Sequence, residues 1–249
     1  MQPAALPRSP MDPMASQDTP IAFSANSRSP LVTHLPGPHV TRHDIAALAQ
    51  DNTVGASAIT QEKGQNNQLF LGRDVELSRL AINVRGKNNR IYIGSGAKLR
   101  GTVDVKGNDC IVFIGARTTF QGVKLFCRAP GHVFIGKDCM FSSGIEIRTS
   151  DSHSVIDLDT MTLRNPVEGV HIGDHVWIGK GTTVQRGACI AEDSIIGLGS
   201  FVRGAFPEPN CVIAGTPARV VGTRRSWSRQ EGLDPQEADI YAWRALDLL

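Results

Sequence analysis

Six aliphatic residues, Ile172, Ile178, Val184, Ile190, Ile196 and Val202, recur at intervals of six without a break. The positions four residues beyond them, Val176, Thr182, Ala188, Ser194 and Ser200, are all small or β-branched. A helix repeats every 3.6 residues and a strand every two, so neither element produces this period. Upstream, the segments GQNNQLFLG (64–72), GKNNRIYIG (86–94), GNDCIVFIG (107–115) and PGHVFIG (130–136) end in glycines spaced 22, 21 and 21 residues apart. Ile93/Leu99/Val105, Ile114/Phe120 and Ile135/Phe141/Ile147 keep the same six-residue register. Three such faces make an 18-residue coil, and the upstream spacing adds a three-residue excursion at a corner.

This pattern predicts an all-β chain wound as a parallel β-helix, each aliphatic pointing into a narrow prism and stacking on its counterpart one coil on. About seven coils between residues 64 and 221, at the ordinary inter-strand spacing of ~4.8 Å, would stand roughly 35 Å tall. Glycines after the aliphatics are expected to turn the corners, because positive φ costs them little. Such an interior is expected to be too narrow for stacked large rings, in line with the 6% aromatic content. A sandwich of antiparallel strands would show turn dipeptides every 8–12 residues and a period of two. The period does not specify the hand of the coil.

Composition divides the chain further. Eight of the 14 prolines fall in residues 1–40 while 21 of the 25 glycines lie between Gly64 and Gly215, which sets a Pro-rich arm against a Gly-punctuated fold. Residues 1–60 are expected to form a disordered or poorly ordered arm with too little apolar surface to offset ordering entropy. Within it, 41–50 could wind one or two helical turns. Residues 61–222 form the β-helix domain, and 223–249 a linker and short C-terminal helix. In that helix Asp234 would be the N-cap, Pro235 the first residue, and Ile240, Trp243 and Leu246 an apolar stripe.

The formal charge of +2 has no block of like charges, which points away from nucleic acid as a partner. No apolar run reaches the ~18 residues of a membrane span, and the N-terminus lacks the pattern of a secretory signal, so the expected location is the cytoplasm. Cys110, Cys127, Cys139, Cys189 and Cys211 are odd in number and contain no C-x-x-C pair, which suits small buried residues in a reducing compartment.

One irregularity interrupts the repeat. After Ile147 the next inward aliphatic in register is Ile172, so about 19 surplus residues leave the prism as a loop over 148–171. The loop carries Asp151, His153, Asp157 and Asp159.

VHIGDHVWIGKGTTVQRGACIAEDSIIGLGSFV (170–202) and VIAGTPARVV (212–221) resemble the hexapeptide-repeat acyltransferases. Within them the closest likeness is to sugar and polysaccharide O-acetyltransferases of the maltose and galactoside type. The resemblance implies a left-handed coil, acetyl-CoA as co-substrate with no metal, a carbohydrate acceptor, and a homotrimer with active sites between subunits. It also implies direct transfer, with no acyl-enzyme. His153, 24 residues before the Trp of VWIG as in that family, would be the general base. Trp177 would offer its indole N–H to the developing oxyanion. Asp151, Glu146, Asp157 or a backbone carbonyl could orient the imidazole, with Asp151 and Glu146 preferred. Gly179 with Lys180, Leu198 with Gly199, and Arg203 are expected along one edge of the prism where the pantetheine arm would lie. Arg219 would meet the nucleotide phosphates. GAFPEPN (204–210) is longer than the family pattern and lacks its usual Lys.

Three other readings compete. His132, His153, His171 and His175 could hold zinc, as in a β-helical carbonic anhydrase, but their spacing does not match that motif. Transfer to an amine, on an aminosugar or a small antibiotic, is the alternative within the enzyme class. A non-catalytic β-helix scaffold is the alternative outside it.

Overall fold

The computed structural model describes residues 64–235 and 240–247 in full, and the backbone alone at 31–34, 53–54 and 59–63. The expected helical turns at 41–50 and most of the expected arm at 1–60 lie outside the described residues. Leu31–His34, Thr53–Val54 and Ile59–Gln65 are strands at the N-terminal end of the solenoid.

The chain winds as a parallel β-helix. One sheet stacks Gln68–Leu71, Arg90–Ile93, Ile111–Ile114, His132–Ile135, Val170–Ile172, Cys189–Ile190 and Ala205–Phe206 in that spatial order, one strand per coil. The other two faces belong to a second sheet. Its upstream strands, Glu76–Lys87, Lys98–Lys106, Thr119–Arg128 and Met140–Arg148, each bend round a corner. The next coil splits these faces: Trp177–Ile178 pairs with Met140–Phe141, and Thr183–Val184 with Glu146–Ile147. All the aliphatics of the six-residue series, together with Val176, Thr182, Ala188, Ser194 and Ser200, are buried. The alternation of a strand explains how both sets point inward: Val176 and Ile178 face the core with Trp177 outward between them.

Two expectations about the prism are corrected. Its interior does hold large rings: Phe120 and Phe141, in register on adjacent coils, stack at 5.0 Å inside the core. The glycines that close the upstream repeats are required for a different reason than positive φ. A Cβ on Gly115 would come within 2.5 Å of the backbone of Gly136 and Lys137, and one on Gly94 within 2.4 Å of the Ala116 nitrogen. Successive coils approach too closely there for any side chain. The left-handed residue of that corner falls two positions later, at Asp74, Gly96, Arg117, Asp138, His175 and Asp193.

The C-terminal segment also differs from expectation. Of the amphipathic helix expected over 234–249, the described residues show a single 3-10 turn, Ala242–Ala245, with Trp243 buried; residues 236–239 and 248–249 lie outside the description. Cys110, Cys127, Cys139 and Cys211 are buried and Cys189 half-buried, all as free thiols. Burial pushes the Cys139 thiol up to about 12, which leaves it inert as a nucleophile.

Candidate active site

The loop leaves the prism after strand Met140–Arg148 and returns at Val170. It is held from inside. Arg186, buried at the corner after Thr183–Val184, sends Nε to Asp151 Oδ2 at 3.0 Å and Nη1 to Glu168 Oε2 at 3.0 Å and the Pro166 carbonyl at 3.3 Å. The amide of Asn165, itself buried, donates to Asp151 Oδ2 at 2.9 Å and to the His153 carbonyl at 2.8 Å, and accepts from the Val155 N–H. The Asn165 amide, then the Arg186 guanidinium, hold the Asp151 carboxyl below the usual carboxylate range, with Arg203 adding a smaller contribution. Beyond this clasp, Ile156–Asp157 and Thr162–Leu163 pair as a small hairpin.

His153 sits on the clasped turn with its side chain exposed. Among the described residues its imidazole has no hydrogen-bond partner. Asp151, expected to orient it, faces Arg186 and Asn165 instead. Glu146 pairs with Arg148 at 2.8 Å, on the face below which Thr183 lies. Arg186 and Asn165 were not signalled by the sequence: Arg186 meets Asp151 across 35 residues, and neither belongs to a periodic series.

Trp177 stands on a different face from Glu146, between Met140 and Ile195 on neighbouring coils, and is 37% exposed. Its ring neighbour is Trp227, at 6.2 Å. Within the chain, therefore, His153 and Trp177 are not brought together.

Gly179–Lys180 and Leu198–Gly199 do share a corner on successive coils. The Gly179 amide donates to the Ile196 carbonyl and the Gly199 amide to the Lys180 carbonyl, so these two N–H groups belong to the coil ladder. Among the described residues the N–H groups of Lys180 and Leu198 have no such partner, and Leu198 is 81% exposed. Arg203 departs from the expected edge. It follows strand Phe201–Val202 at the next corner, where its charge acts on Asp151. Arg219 lies exposed on the terminal antiparallel hairpin of Val212–Gly215 with Ala218–Gly222.

Two of the four histidines considered for zinc are otherwise engaged. His171 stacks on Phe134 on the outer face, and His175 is buried with Nδ1 2.9 Å from Asp193 Oδ1. Among the described residues no group of three or more His, Cys, Asp or Glu side chains is placed to hold a metal ion.

Known proteins share this architecture. The polysialic acid O-acetyltransferase of Neisseria meningitidis is 34% identical over 167 residues, covering 67% of this chain and 78% of that protein. The chain belongs to the hexapeptide-repeat O-acetyltransferases. It is thus an acyltransferase, and its β-helix is left-handed. The polysialic acid O-acetyltransferase of Escherichia coli O1:K1 is 34% identical over 142 residues, 57% of this chain and 45% of that protein. Among solved structures, the polysialic acid O-acetyltransferase OatWY superposes with a TM-score of 0.64 at 27% identity, covering 75% of this chain and 93% of that one. The polysialic-acid-specific acetyltransferase NeuO gives 0.63 at 28% identity, over 74% and 88%. No family model matches the chain.

Proposed function

We propose that this O-acetyltransferase moves the acetyl group of acetyl-CoA to a hydroxyl of an acidic polysaccharide, with His153 as the base. The observation that carries this reading is the clasped loop. Arg186 and Asn165 fix its backbone while the His153 imidazole stays exposed and unpaired within the chain, as a base awaiting a substrate hydroxyl would be. His153 takes the hydroxyl proton as the oxygen attacks the thioester carbonyl. The oxyanion is met by the Trp177 indole N–H, and collapse expels CoA thiolate, which recovers the proton from His153. The free N–H groups at Lys180 and Leu198 suit the amide groups of a pantetheine arm, and exposed Arg219 suits the nucleotide phosphates.

Because His153 and Trp177 occupy different faces of one prism, the reading includes a homotrimer in which they meet across subunits. The exposed large apolar residues support a second wall. Val155, Ile156, Leu158, Met161 and Leu163 all crowd onto the loop, Leu198 lies at the donor corner, and Val220 and Val221 are exposed on the terminal hairpin.

An acidic acceptor is favoured by the face that leads to the loop. Arg85, Lys106 and Arg128 stand in register on three successive coils, and the Arg128 N–H donates to Thr149 Oγ1 where the loop departs. Asp104 binds both arginines, at 2.7 and 2.6 Å, and leaves the column net positive. Its steps of ~4.8 Å would meet repeated carboxylates along a chain of sugar acids. The relatives named above act on such a polymer by their names. The reading is tested by CoA release with polysialic acid against a neutral polysaccharide. Turnover on the acidic polymer that falls steeply with added salt is expected; equal turnover on the neutral polymer contradicts the acidic acceptor.

A further inference from the structure

We infer that Trp227 is a positioning residue for Trp177, and that residues 226–229 are a strap that sets the geometry of the acetyl-transfer site. The inference rests on the role proposed above for Trp177.

Trp177 alone has little to hold it. It projects from a two-residue strand and is 37% exposed, so its indole could occupy several rotamers. Its ring contact is Trp227, at 6.2 Å and tilted by 45°, within the range of edge-to-face aromatic pairs.

Trp227 itself has no such freedom. Its indole N–H donates to the His175 carbonyl at 2.8 Å, two residues before Trp177, and its ring stacks on the His175 imidazole at 4.3 Å. Trp243 covers the other imidazole face at 5.0 Å. Asp193, fully buried, accepts from Ser226 Oγ at 2.7 Å and stands 2.9 Å from His175 Nδ1, tying the strap and the imidazole to one carboxylate. Arg229 fastens the following turn through Asp138, Thr119 Oγ1 and the Cys139 carbonyl, with its guanidinium 5.7 Å above the Trp227 ring. A firmly held indole thus abuts a partly exposed one, and an oxyanion donor is effective only when its N–H is already aimed.

The test compares three single variants and one double variant of the full chain, each with 5-fluorotryptophan in place of its tryptophans, of which the parent has three. Trp177→Phe identifies the Trp177 resonance. Trp227→Phe keeps a ring on His175 but shortens the reach to Trp177. Trp243→Leu opens the far side of the His175 stack without touching Trp177, and so reports any purely structural effect.

For Trp227→Phe the expected result is a shifted or broadened Trp177 fluorine resonance, kcat lowered about tenfold, and a KM for acetyl-CoA within about twofold of the parent. Trp243→Leu should leave that resonance and kcat within twofold. Adding Trp227→Phe to Trp177→Phe should lower kcat no further. An unmoved Trp177 resonance, or an equal fall in kcat for Trp227→Phe and Trp243→Leu, overturns the inference. If Trp177→Phe itself keeps full kcat, the role proposed for Trp177 fails and the inference falls with it, an outcome distinct from the other two. Should Trp227→Phe fail to fold while Trp243→Leu folds, Trp227 is structural and the inference is likewise overturned.

Discussion

Arg186 shows how a single buried charge shapes a site that it does not enter. Its two carboxylate partners, Asp151 and Glu168, sit near the two ends of the loop, so one guanidinium fixes both the departure and the return of the chain. Both carboxylates are partly exposed, which limits the loss when the cation is removed. Arg186→Leu should cost about 1–3 kcal/mol of stability and lower kcat by a larger factor than it raises either KM, as steady-state kinetics would show. Acid should mimic the substitution. The folded Asp151 carboxyl has its pKa held below the ordinary value by Asn165 and Arg186, so its contribution is complete above about pH 4 and is lost as pH falls through the lowered folded value. Amide protection over 151–168, taken relative to the intrinsic exchange rate at each pH, should therefore fall at acid pH in the parent and far less in Arg186→Leu. Protection in the parent that does not change with pH would contradict this role. None of it was legible in the sequence, where Arg186 reads as one more charge between corners.

At the scale of the coil, much more could be read in advance. The six-residue series and its small companions are all buried where the period places them, because an inward side chain stacks on its own counterpart and so the same residue type suits every coil. Phe120 and Phe141 are also buried where the period places them, and only the expectation that the interior excludes stacked rings failed: a pair stacked in register uses the prism's length rather than its width. The glycines were found for the wrong reason, and the difference is measurable. Gly115→Ala would drive a Cβ to 2.5 Å from the next coil and should cost about 3 kcal/mol or more. Gly199, at φ +66° with nothing within 4 Å of a Cβ, should cost about 1–2 kcal/mol as Ala, from backbone conformation alone. Chemical denaturation of the two variants tests this ordering, and a Gly115→Ala chain as stable as Gly199→Ala would contradict the close-approach account. Trp227 was hidden for the same reason as Arg186: it reaches His175 across 52 residues, from a segment without periodicity.

For the whole molecule, the account depends on faces that one prism cannot bring together. The apolar loop and the exposed Trp177 are expected to be covered in a trimer. Replacing Leu158 and Met161 with Asp should therefore shift the mass seen by light scattering from trimer to monomer and abolish turnover, while the melting of the isolated prism changes little. A variant that stays active as a monomer would contradict a shared site. The central claim is that His153 takes the acceptor proton in transfer from acetyl-CoA, and its most direct measurement is CoA released with polysialic acid by the parent and by His153→Ala. The account predicts acceptor-dependent release in the parent and a loss of about 10²–10⁴-fold in the variant, with trimer and melting temperature unchanged. Equal rates in the two proteins would contradict it.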